Sequence, residues 1–147
     1  MKRFWRGWFM NFLIGLGLLG VPEARAQLIG TSVGIGAGPQ GAIHVNLALS
    51  VRNAVLIGGY GIDARLLGDL GPFSALELDG LLNVPVGDFT LYGGPGAALA
   101  LHHTLNLRPT FTLGGSYIVD SQIGLFGEVG WNVSSGVRVR TGLTYSF

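Results

Sequence analysis

The sequence predicts an all-β chain: an eight-stranded antiparallel up-and-down transmembrane β-barrel, apolar outside and polar within. Three observations carry this. Short runs alternate apolar and polar residues with a period of two, the pattern of a strand that separates two environments. Clusters of Gly, Pro, Asn, Asp and Ser interrupt the runs at even intervals. Beyond residue 26, every charge falls either in such a cluster or on the polar face of a run. The chain has 147 residues, 26 of them Gly and none Cys, and only 12% are charged. That charged share is about half of the ~25% usual in a soluble domain.

The first 26 residues read as an export signal and are set aside from the fold. Lys2, Arg3 and Arg6 form a positive start, and residues 8–21 are an apolar run broken only by Gly and Asn11. Pro22 follows, and Ala24-Arg25-Ala26 makes a small-residue cleavage site before Gln27. The apolar run is shorter than the ~20 residues of a spanning helix. Cleavage leaves 121 residues with five Arg, no Lys and seven acids, a net charge of −2. The basic balance therefore belongs to the signal. No basic patch remains to suggest nucleic acid as a partner.

The strands follow in order over roughly 28–37, 42–51, 54–66, 74–84, 89–101, 110–119, 123–132 and 137–147. Between them stand Gly38-Pro39-Gln40-Gly41, Arg52-Asn53, Gly68 to Pro72, Pro85 to Asp88, His103 to Pro109, Asp120-Ser121-Gln122 and Ser134-Ser135-Gly136. The second strand is the plainest. Ile43, Val45, Leu47, Leu49 and Val51 alternate with Ala42, His44, Asn46, Ala48 and Ser50. The eighth does the same, with Arg138 and Arg140 on its polar face and Val137, Val139, Leu143, Tyr145 and Phe147 on the other. Pro95, in Gly93-Gly94-Pro95-Gly96 of the fifth strand, predicts a bulge or kink, because Pro removes a ladder hydrogen bond.

Periodicity does not say which face is inside. A water-facing surface of this area normally carries Lys and Glu in quantity, and here only two Glu and no Lys are available. The polar face is dominated by Gly, Ala, Ser, Thr and Asn, which suit a narrow barrel interior. Aromatics stand on the apolar face near strand ends: Phe89, Tyr117, Tyr145 and Phe147 at one rim, Phe111 and Trp131 at the other. Such girdles belong to membrane barrels.

The inward charges are Asp63, Arg65, Glu77, Asp79, Glu128, Arg138 and Arg140; Arg52, Asp69, Asp88, Arg108 and Asp120 fall in predicted turns. In an eight-stranded meander the third and fourth strands lie across the lumen from the seventh and eighth. Arg65 should then sit beside or diagonal to Glu77, and Glu128 beside or diagonal to Arg140, with Arg138 and Arg140 facing Glu77 and Asp79. Charges with so little water must pair. The expectation is a salt-bridged plug; the alternative is a narrow porin-like channel with a charged constriction.

Alternating strands, inward Arg and Glu, the signal segment and the terminal Tyr145-Ser146-Phe147 resemble the small outer-membrane barrels of Gram-negative bacteria, the OmpA, OmpX and opacity-protein type. Leu91-Tyr92-Gly93-Gly94 is similar to the Tyr-Gly-rich strand common there. The resemblance implies an outer-membrane location in contact with lipid, a structural role in the envelope, and a monomer. It also implies insertion by the barrel-assembly machinery, with Leu143, Tyr145 and Phe147 as the signal. The loops are short for that group, whose loops usually carry adhesion or receptor function, and no room is left for a peptidoglycan-binding domain.

Some barrels of that kind modify lipid A with His, Ser and a carboxylate at the rim. His102, His103 and Thr104, with Glu128, are the residues here that approach this set, but Ser is missing and no catalytic role is expected. His44 is isolated, and adjacent His102 and His103 face opposite ways on a strand, so no metal site or cofactor is expected. The Gly-rich stretches lack the Lys-Ser/Thr and the helix of a nucleotide loop. A soluble periplasmic lipid carrier is the remaining alternative; it requires the two faces to be inverted.

Overall fold

A computed structural model describes residues 29–101 and 106–147. The proposed export signal, with its cleavage site, and His102, His103 and Thr104 lie outside the described residues. Eight strands run β1 (Ile29–Ala37), β2 (Ile43–Ile57), β3 (Tyr60–Leu70), β4 (Ala75–Val86), β5 (Phe89–Ala100), β6 (Asn106–Ile118), β7 (Ile123–Asn132) and β8 (Gly136–Ser146). Each pairs antiparallel with the next, and β8 closes on β1. A short 3-10 turn, Pro39–Gly41, links β1 to β2.

Closure removes every sheet edge, which is what lets strands stand in lipid without unpaired backbone. The strands are strongly staggered. The ladder from Asn46 reaches β4 at Ala75 one way round, through Asp69, and at Pro85 the other way, ten residues along. Such a stagger tilts the strands by roughly 35–45° to the axis. It also brings residues far apart in ladder order to one height in the lumen.

The faces divide as the alternation requires. Leu47, Leu78, Leu113, Val129 and Val139 are among the exposed large apolar side chains, Leu78 at 60% and Leu113 at 62%. Arg65, Glu77, Asp79, Glu128, Arg138 and Arg140 are all buried. The apolar face is outside, so the inverted-face alternative of a soluble lipid carrier does not describe this barrel. The six aromatic residues Phe89, Tyr117, Tyr145, Phe147, Phe111 and Trp131 are exposed. Phe89 pairs with Tyr117 at the rim that carries Ile29 and Phe147, and Phe111 with Trp131 toward the opposite rim. The rings of Tyr145 and Phe147 meet edge to face at 5.0 Å.

Several local expectations are corrected. Arg52-Asn53 is not a turn but an irregularity inside β2, where pairing with β3 shifts between Val51 and Val55. Asn53 takes φ +50°, as Asn tolerates, and its N–H donates to Asp63 at 2.8 Å. The turn lies at Gly58-Gly59, with φ +59° and +88°, the geometry that a two-residue hairpin asks of glycine. β3 therefore starts at Tyr60, and it runs on to Leu70 through residues expected to form a turn. Asp69 and Arg108, assigned to turns from sequence, are strand residues, and β6 begins at Asn106 rather than at 110. Pro95 makes neither a turn nor a register shift. It pairs with Phe111 on one side, while the ladder to β4 is interrupted opposite Gly80 and Leu81 and resumes in the same register.

The lumen is also less uniformly small than the polar face suggested. Leu67, Leu81, Tyr92 and Phe126 are buried inside it. Glycines accommodate them. A methyl group on Gly114 would stand 2.8 Å from the Tyr92 ring, and one on Gly34 would stand 3.0 Å from Phe126. Gly114, Gly34 and Gly130 thus make room for two rings and the Arg140 guanidinium.

Candidate functional site: an ion-paired layer across the lumen

The inward charges gather in one connected layer. Arg65 on β3 donates through Nε and Nη2 to Asp79 Oδ2, at 3.0 and 2.7 Å, from the directly paired position on β4. Its Nη1 crosses the lumen to Glu128 Oε2 on β7, at 2.6 Å. Glu128 accepts also from Tyr92 Oη on β5, at 3.0 Å, and through Oε1 from Arg140 Nη1, its ladder partner on β8, at 3.0 Å. Arg140 Nη2 then returns across the barrel to Glu77 on β4 and Asp69 on β3, at 2.7 and 2.8 Å. Arg138 donates to the same Asp69 oxygen at 2.8 Å, and His44 Nε2 stands 3.5 Å from the other.

The path runs Asp79–Arg65–Glu128–Arg140 and divides to Glu77 and Asp69. It links β3, β4, β7 and β8 through bonds whose partners stand up to 71 residues apart in the chain. Arginine suits this role because its planar fork offers several donors in fixed directions, so one residue can tie several carboxylates. Arg140 is 2% exposed and Asp69 1%. Charges so deep are stable only when paired and hydrogen-bonded. The layer holds three Arg against four carboxylates, with His44 at its edge.

The structure brings together Arg65, Glu77, Asp79, Glu128, Arg138 and Arg140, and leaves out Asp63. Asp63 bonds the Asn53 backbone near the termini-bearing rim and makes no ion pair among the described residues. Arg65 stands diagonal to Glu77, as expected, but bonds Asp79 directly opposite it, and Arg138 takes Asp69 rather than Glu77 or Asp79. Sequence reasoning missed Asp69 and Tyr92. Asp69 stood beside Gly68 and Gly71-Pro72, which look like a turn. The signal that places it inside is its even spacing from Arg65 and Leu67 on one face. Tyr92 alternates with Leu91 and so was available as an inward residue.

Glu128 was also the carboxylate of the lipid-modifying alternative. It is buried in the lumen and bonded to Arg65, Arg140 and Tyr92, away from the outer surface where an acyl chain would lie. Among the described residues no group of three His, Cys, Asp or Glu is arranged to hold a metal ion.

Tyr92→Phe should lower stability by about 1.5–3 kcal/mol, the cost of losing a hydrogen bond to a charged group. Urea unfolding in detergent micelles measures this; a midpoint equal to wild type would mean that the Tyr92–Glu128 bond contributes nothing.

No family model matches the chain, and no curated protein matches it. Solved structures do. A de novo designed transmembrane β-barrel is similar with a TM-score of 0.69 and 20% identity, over 85% of this chain and 99% of that one. A second designed barrel, TMB2.3, gives 0.63 and 23%, over 85% and 98%. The Yersinia pestis outer membrane protein Ail gives 0.56 and 9%, over 83% and 100%. At such identities the likeness is one of fold. With eight antiparallel strands closed in sequence order, charges inside and an apolar band outside, the chain has the architecture of the small outer-membrane-type β-barrels.

Proposed function

We propose that this chain is an integral outer-membrane β-barrel with a structural role in the envelope and a lumen closed by the Arg65–Glu128–Arg140 layer. The observation that carries the location is the outward face. Exposed Leu, Ile and Val surround the barrel, far beyond the patch of a few hundred Å² that a soluble monomer presents. An exposed aromatic girdle stands at each rim, where membrane barrels carry theirs. The layer supports closure, since its ion pairs join β3 to β7 and β8 across an interior that in eight-stranded barrels is just wide enough for side chains. Residues 1–26 would direct export and then be removed before Gln27. Leu143, Tyr145 and Phe147 on β8 would be read by the assembly machinery, and lipid would surround a monomer. No catalytic role is assigned.

A narrow porin-like channel is the second reading, and one observation favours it: the half of the lumen toward the termini is hollow. Cell fractionation tests the location. The protein should appear in the outer-membrane fraction and migrate faster on gels unheated than boiled. A freely soluble periplasmic protein would end the proposal.

A further inference from the structure

The ion-paired layer does not fill the barrel. Between it and the termini-bearing rim lies a cavity of about 430 Å³, open at that rim and floored by Arg65, Tyr92 and Phe126. This volume falls within the roughly 300–1,000 Å³ typical of small-molecule sites. Its wall is a belt of hydroxyls from four different strands: Ser32 on β1, Thr90 on β5, Ser116 on β6 and Thr144 on β8. Ser50 also lines it but is bonded to the Gly30 carbonyl. The other four hydroxyls make no hydrogen bond among the described residues, and each residue is only partly buried. They face the cavity with both a donor and an acceptor free.

The charge at the floor is otherwise engaged. Arg65 is already held by two carboxylates, Asp79 and Glu128. Toward the mouth stand one cation, Arg52, and one anion, Asp63. A charged ligand would find no free counter-charge at depth, and burying it unpaired would be costly. A neutral ligand that both donates and accepts around its whole edge, and that presents an apolar face to a ring, meets the belt and the floor together.

We propose that this vestibule is a binding site for a small neutral polyhydroxylated molecule of monosaccharide size, entering from the termini-bearing rim. Carbohydrate rings have that chemistry: hydroxyls at the edge for Ser32, Thr90, Ser116 and Thr144, and C–H faces for Tyr92 and Phe126. The site is blind, because the ion-paired layer closes its far end. The proposal depends on the cavity and not on the cellular location of the barrel, so its failure leaves that reading intact.

The test is a titration of D-glucose into the full barrel refolded in phosphatidylcholine nanodiscs, followed by the NMR signals of Thr90, Ser116 and Thr144. Saturable shifts confined to these residues are expected, with a dissociation constant on the order of millimolar. The double variant Thr90→Val, Thr144→Val removes two hydroxyls at nearly constant volume and should weaken binding by at least about fivefold. If that variant does not refold, Ser32→Ala with Ser116→Ala, which only deletes atoms, takes its place. Shifts that stay linear in glucose would mean the cavity holds water alone and would overturn the proposal. So would saturable binding of unchanged affinity in the hydroxyl-deleted variant.

Discussion

Arg140→Ala is expected to lower the unfolding free energy of the barrel by about 3–5 kcal/mol, the range found when one partner of a buried ion pair is removed. The reason is the company that Arg140 keeps. Its two terminal nitrogens serve Asp69, Glu77 and Glu128, and each of these carboxylates is at least 97% buried. Glu77 has no other ion pair among the described residues, so the substitution leaves it charged and unpartnered. Asp69 retains Arg138, and Glu128 retains Arg65 and Tyr92. Arg140→Lys should recover only part of the loss. An ammonium is a single point charge on a flexible stem and cannot span three acceptors as the guanidinium fork does. Guanidinium unfolding in micelles measures both variants, and equal midpoints for wild type and Arg140→Ala would show that the layer does not hold the barrel together.

Leu113→Arg tests the opposite face. Leu113 is near the middle of β6, 62% exposed, between Gly93 and Val129 in the ladder. Surrounded by lipid, an arginine there should cost about 2–4 kcal/mol, the depth-dependent penalty at a bilayer midplane. Surrounded by water, the same change would fall within about ±0.5 kcal/mol. Refolding yield and unfolding midpoint in lipid vesicles, compared with Leu113→Ala, separate the two. Leu113→Ala corrects for the packing lost with the leucine. A variant as stable as that control would place water outside the barrel.

The fold was legible because two signals agreed. In β2 and β8 the period of two is almost unbroken, and the charged residues respect it: Arg138 and Arg140 are inward, Val137 and Val139 outward. What misled was turn chemistry. Arg52-Asn53 carries the residue types of a hairpin, and Asn53 does adopt a positive φ, but within a strand. Gly58-Gly59 looked like two more glycines in a glycine-rich strand. A second turn signal, Gly68 to Pro72, ended the expected third strand at residue 66 and hid Asp69, whereas β3 runs on to Leu70. The pairing within the layer was only partly legible for a different reason. Ladder neighbours such as Arg65–Asp79 and Glu128–Arg140 follow from register. Contacts across the lumen, such as Arg65–Glu128 and Arg140–Asp69, depend on the stagger of the closed barrel, which no local pattern records.

The vestibule was not legible as a site at all. Its hydroxyls are single Ser and Thr residues scattered over 113 positions from Ser32 to Thr144, and each looks like ordinary lumen filling. Only closure puts them in one belt.

On the proposed reading, the Arg65–Glu128–Arg140 layer seals a membrane-spanning barrel to ions. Electrical recording of the refolded protein in a planar lipid bilayer tests it most directly. No stable conductance steps are expected from the wild-type barrel under applied voltage. Reproducible ohmic steps from the wild-type protein would show that the layer does not seal the barrel and would make it the lining of a pore.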